Sequence, residues 1–132
     1  MKFTDGNWLV REGFKIHSPA EVHCAETRDD SLIVTAPCRH IAHRGDTLEG
    51  PLLSIKLSSP MPDVIRVQIL HFAGVKRAGP EFEVWIDRNT QCSVTEDATS
   101  ITFTSGSMSA RVEKQKWSMD FLRNHQRITG TG

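Results

Sequence analysis

The chain has 132 residues, with sixteen basic side chains balancing sixteen acidic ones; a nucleic-acid binder carries a basic excess or stripe, and none is visible. Hydrophobic residues make up 38% and charged residues 24%, ordinary values for one globular domain, 1–132, that buries its own core. The apolar runs are far too short to span a bilayer as a helix, and MKFTDGNWLV holds an acid and a glycine where a secretory signal needs an apolar stretch.

Two-residue alternation runs along the chain and predicts an all-β fold. Residues 26–31 (ETRDDS) read as a turn. Leu32, Val34 and Ala36 then alternate with Ile33 and Thr35, and Leu53, Ile55 and Leu57 with Ser54, Lys56 and Ser58. Between these two strands lies a polar stretch, closed by Gly50-Pro51. After the turn at 58–63 (SSPMPD), VIRVQIL (64–70) places Ile65, Val67 and Ile69 on one apolar face. Residues 74–80 (GVKRAGP) form another turn before a strand through Phe82-Glu83-Val84. In SITFTS, Ile101 and Phe103 share a face; SGS (105–107) turns the chain; Met108, Ala110 and Val112 alternate with Ser109, Arg111 and Glu113. Trp117, Met119 and Phe121 alternate with Ser118, Asp120 and Leu122, which makes Trp117 a core residue and aims Asp120 away from it. About nine or ten short strands with turn residues between them imply a sandwich or barrel.

Cys24, Cys38 and Cys92 are odd in number and widely spaced. That argues against a disulfide framework and for a reducing compartment, the cytoplasm; the expected state is small, buried or half-buried thiols. Cys38, His40 and His43, with Asp46 following, put metal-ligand chemistries close together, but the spacing fits no established zinc pattern. Asp29-Asp30 and Glu96-Asp97 are neighbours in turns rather than carboxylates facing across a glycosidic bond. No G-x-S-x-G elbow accompanies the serines and histidines. Trp8 and Trp85 are candidate sugar-stacking platforms.

HRGDTLEGPLL at 43–53, preceded by Ile41-Ala42, resembles the N-terminal domain of bacterial α-xylosidases of glycoside hydrolase family 31. So do MKFTDGNWL (1–9), PAEV (19–22), VIRV (64–67), HFAG (71–74), GPEFE (79–83), LRN (122–124) and RITG (127–130), in collinear order. The resemblance implies a β-sandwich of galactose-mutarotase-like type, and a short part of it. It also implies that the catalytic aspartates, a nucleophile and an acid/base for retaining hydrolysis of terminal α-xylosyl or α-glucosyl bonds, belong to a (β/α)₈ barrel further along the parent chain. Such a barrel needs about 250 residues, and the family's Trp-x-Asp-Met-Asn-Glu signature is absent: Trp117-Ser118-Met119-Asp120 has aspartate and methionine in the wrong order.

No catalytic residue, metal ligand or cofactor is therefore expected in this chain. The expected partners are the parent's barrel and, in the full-length protein alone, an oligosaccharide; no nucleic acid and no membrane. Within the family a loop of this domain reaches the sugar pocket. Two segments qualify, 39–49 with Arg44 and Asp46, and 86–97 with Asp87, Arg88 and Asn89, the second being favoured. A shortened sandwich leaves sheet edges unpaired, so self-association is expected. Two other readings are a standalone carbohydrate-binding module and a metal-binding regulator built on Cys38, His40 and His43.

Overall fold

The computed structural model describes residues 4–5, 9–48, 50–70, 85–87 and 89–131. Short strands β1 (Thr4–Asp5) and β2 (Leu9–Val10) pair with each other. A four-stranded antiparallel meander follows: β3 (Cys24–Arg28), β4 (Ser31–Pro37), β5 (Leu52–Ser58) and β6 (Arg66–Leu70). A second meander of five strands contains β7 (Cys92–Glu96), β8 (Ser100–Ser105), β9 (Met108–Glu113), β10 (Ser118–Arg123) and β11 (Gln126–Thr131). Strands adjacent in sequence are adjacent in each sheet, and two-residue loops join three of these pairs: β3–β4, β8–β9 and β10–β11. Asp29 and Asp30 take φ of 45° and 56°, and Asn124 and His125 take 49° and 66°. Positive φ at both loop positions is the twist that a tight hairpin needs, and Asp and Asn tolerate it.

The two sheets meet face to face as an all-β sandwich. Leu32, Val34 and Ala36 of β4 and Leu53, Ile55 and Leu57 of β5 supply one wall of the core. Ile101, Phe103, Ala110, Val112 and Met119 supply the other. These are the apolar sets of the alternating pattern, and Trp117 packs half-buried against them. The opposite faces carry Ser54, Lys56, Thr102, Thr104, Ser109 and Arg111. At one end, Ser59 Oγ meets Ser105 Oγ at 2.8 Å and Asp63 Oδ1 accepts the Ser107 N–H at 2.5 Å, lacing sheet to sheet. At the other, Ala20 donates its N–H to Pro37 O and accepts the Trp117 N–H, both at 2.8 Å, so one residue bridges both sheets.

Several expectations need correction. The turn expected at 26–31 contracts to Asp29-Asp30, because β3 pairs with β4 as far as Arg28. The strand expected from Val64 begins at Arg66: Asp63 sits at φ 64°, and Val64 N bonds to Met61 O within the turn. Cys24 is exposed rather than buried, since it opens an edge strand on the outward face. Ile69 lies on the apolar face, opposite Ile55, yet remains 54% exposed because β6 is an edge where the sheets diverge. The polar stretch after β4 contains a 3₁₀ turn, Arg44–Leu48. The turn at 74–80, the strand through 82–84, Trp8 and Arg88 lie outside the described residues.

Candidate functional site

The first candidate loop leaves β4 and returns to β5, its base closed by Cys38 N donating to Pro51 O at 3.2 Å. Asp46 organises it. Its Oδ2 accepts the N–H groups of Ala42 and His43 at 3.0 and 3.1 Å, and its Oδ1 accepts Arg39 Nη2 at 3.2 Å. Both carboxylate oxygens are thus occupied by the loop itself. Arg44 projects exposed from the 3₁₀ turn, while its carbonyl accepts the Thr47 hydroxyl at 2.8 Å. Glu21 pins the same loop from outside: Oε1 accepts the Ile41 N–H at 3.0 Å and Oε2 pairs with His40 Nδ1. The Ile41 N–H, ahead of the neighbouring His40, holds the Glu21 carboxyl below the usual range. A hollow of about 210 Å³ beneath the loop includes Cys38, whose thiol is pushed up by burial and so is less nucleophilic.

The second candidate loop precedes β7. Asp87 donates its N–H to Pro60 O at 2.7 Å, its Oδ1 accepts the Asn89 N–H at 3.0 Å, and its carbonyl accepts the Thr90 N–H at 3.2 Å. That is an Asx turn, which fixes the backbone and leaves Asn89 exposed. Trp85 and Ile86, just before it, are 79% and 55% exposed. A polar hollow of about 450 Å³ lined by Asp30, Asn89, Thr90, Gln91 and Cys92 adjoins the turn. The Thr90 Oγ1 is buried there with no hydrogen-bond partner among the described residues.

The two loops do not come together. Asp87 is tied to Pro60, at the β5–β6 turn; Arg44 and Asp46 stand where β4 ends and β5 begins. Those are opposite ends of the sandwich. Arg88 lies outside the described residues.

A third feature escaped the reading of the sequence. Between β5–β6 of one sheet and β10–β11 of the other lies an apolar cleft of about 1010 Å³, walled by Leu53, Ile55, Ile69, Met119 and Phe121. Ile69 is the trace of it in the sequence: an apolar residue on a core-facing register that finds too little to pack against. The turn expected at Glu96-Asp97 is built by Asp97, while Glu96 closes β7. Asp97 Oδ1 accepts the N–H groups of Thr99 and Ser100, each at 2.7 Å, and its Oδ2 accepts the Ser100 hydroxyl at 2.9 Å. Those bonds drive its carboxyl far below the usual range. The pattern Asp-x-Thr-Ser announces such a turn, whereas nothing local announces that Glu21 reaches Ile41. Asp120 points away from Trp117, as expected, and accepts Arg127 Nε at 2.7 Å. Among the described residues no three His, Cys, Asp or Glu groups are placed to hold a metal ion. His40 turns to Glu21, and His43 Nε2 lies 3.6 Å from Asp46 Oδ2.

No family model matches the chain. Over 131 residues it is 33% identical to the α-xylosidase XylQ of Lactiplantibacillus pentosus, which covers 98% of this chain and 17% of that protein. The chain is homologous to a segment of the α-xylosidases. A second α-xylosidase, from Emericella nidulans, is 34% identical over 110 residues, covering 80% of this chain and 14% of its own length. The chain therefore spans about a sixth of the α-xylosidases it matches. Its fold is similar to part of the cycloalternan-forming enzyme of Listeria monocytogenes, solved in complex with a pentasaccharide. The TM-score is 0.60, at 15% identity, over 86% of this chain and 9% of that one. An uncharacterised Listeria monocytogenes protein gives a TM-score of 0.59 over the same shares. The family-31 resemblance carried by residues 43–53 is borne out at the level of homology and of a β-sandwich fold. No helix among the described residues is long and apolar enough to cross a membrane.

Proposed function

We propose that this chain is the N-terminal, galactose-mutarotase-like sandwich of a cytoplasmic α-xylosidase-type glycoside hydrolase, with no catalytic group of its own. In the parent protein it braces the catalytic barrel and borders its sugar pocket, where retaining hydrolysis removes terminal α-xylosyl or α-glucosyl units. The observation that carries this reading is the lopsided match: 98% of this chain aligns with 17% of an α-xylosidase. The use of the acids agrees with it. Asp46, Asp87, Asp97 and Asp120 each hold a backbone N–H group or an arginine within the fold, whereas glycoside cleavage needs two carboxyls free to face one bond. Of the two loops we assign the second to the sugar pocket; β7 takes up Cys92–Glu96 of the expected 86–97, so the loop is the part before it, with Asp87, Arg88 and Asn89. It follows the exposed Trp85 and adjoins a polar hollow, whereas 39–49, with Arg44 and Asp46, is bound up in itself. The test is hydrolysis of an aryl α-xyloside by the purified chain. No release above background is expected, and measurable turnover overturns the proposal.

The exposure of Trp85 favours a second reading, a standalone carbohydrate-binding module, since a bare indole face is what stacks on a sugar ring. Titration with xylose and a xyloglucan oligosaccharide, followed by tryptophan fluorescence, separates the two. The sandwich reading expects no change at millimolar sugar; a saturable change that disappears in Trp85→Ala supports the module.

A further inference from the structure

The cleft between β5–β6 and β10–β11 is a piece of core that the described strands do not close. Ile69 shares a face with its register partner Ile55, yet Ile55 is 1% exposed and Ile69 54%. The core is complete over β5 and gives out over β6. On the opposite sheet Met119 pairs with Thr131 of β11, so that wall ends in a short hydroxyl side chain rather than an apolar one that would close over Ile69. About 1010 Å³ is left open. The lining also holds two bases, Lys15 and His17, both exposed, and no acid. An open apolar surface rimmed by polar groups marks an interaction site.

Length and charge decide what covers it. Because 98% of this chain aligns with 17% of XylQ, most of an α-xylosidase lies outside this segment. A partner on the same polypeptide is held at high effective concentration, so a cleft this shallow in charge and rich in apolar surface suffices to seat it. We propose that the cleft is the socket for a further segment of the same α-xylosidase polypeptide: an apolar stretch seated on Ile69, Met119 and Phe121, flanked by an acidic side chain that meets Lys15. The proposal rests on the α-xylosidase reading and adds to it the face by which this sandwich is held.

A chimera tests it, XylQ with its aligned segment replaced by this chain. In the isolated chain Ile69→Asp and Lys15→Glu alter exposed positions, and each leaves the thermal midpoint within about 3 °C of the unaltered chain. In the chimera Ile69→Asp buries a carboxylate without a partner, and soluble α-xylosidase activity falls about tenfold or more. Lys15→Glu sets acid against acid and lowers it too, while Lys15→Arg retains it. Variant chimeras as active as the unaltered one overturn the proposal and leave the α-xylosidase reading standing. An unaltered chimera without activity overturns that reading, and the proposal with it. Other occupants show themselves in the isolated chain. A dimer in sedimentation that Ile69→Asp splits puts a second copy in the socket, and the proposal fails. It fails also if anilinonaphthalene sulfonate gives no fluorescence rise that Ile69→Asp suppresses, since the chain then covers the cleft by itself.

Discussion

Asp63 Oδ1 accepts the backbone N–H of Ser107 across the gap between the two sheets. The contact exists because the Ser105–Met108 hairpin turns through Gly106 at φ 57°, bringing its backbone so near Asp63 that a Cβ on Gly106 would run into the carboxylate. Gly106→Ala is therefore penalised twice, by left-handed backbone, at about 1–2 kcal/mol, and by displacement of Asp63. Urea unfolding checks this, with a clear drop in midpoint expected; Gly13→Ala, also at positive φ but with open space around it, should lose only the backbone share.

The Asp97 turn makes stability depend on acid. Its folded pKa lies below the unfolded value, so its contribution is fully present above about pH 4 and is lost as pH falls through the folded pKa. Asp63 and Glu21 are depressed in the same direction. Asp97→Ala should lower the unfolding midpoint at neutral pH, and the gap to the unaltered chain should close as the buffer is acidified below about pH 4. A gap independent of pH would contradict this account.

Phe103 is fully buried at the centre of the core. Phe103→Ala should cost about 3–5 kcal/mol, a large part of the total for a small domain. Trp85→Ala removes a ring that is 79% exposed and should stay within about 0.5 kcal/mol of the unaltered chain. Chemical denaturation of both variants checks the contrast.

Asp46 and Arg44 should separate in the same experiment. Asp46→Ala strips two backbone N–H groups of their acceptor and should cost about 1 kcal/mol, the scale of a lost cap. Arg44→Ala removes an exposed side chain and should be near neutral.

The central strands were legible because burial on one face forces alternation: β5 obeys it residue by residue, and β4 and β8 depart from it only at their ends, where Ser31, Pro37 and Ser100 are also buried. Edge strands were less so. β3 is nearly all exposed, so its polar composition looked like turn, and only pairing with β4 makes it a strand. The homology of 43–53 was written in consecutive residues. The separation of Asp87 from Asp46 was not, since which end of a sandwich a loop occupies depends on the direction of the strand beneath it. Glu21 and the apolar cleft were hidden for a related reason: both arise from residues far apart in the chain.

The Ala20 bridge has a kinetic consequence. Within each meander every pairing joins strands that are neighbours in sequence, so either sheet can grow by short loop closures. Ala20 links Pro37 to Trp117, and that closure requires both sheets to be in place. The closing of this end of the sandwich is thus a late, high-contact-order event. Substitutions that weaken it should quicken unfolding while leaving the refolding rate almost unchanged.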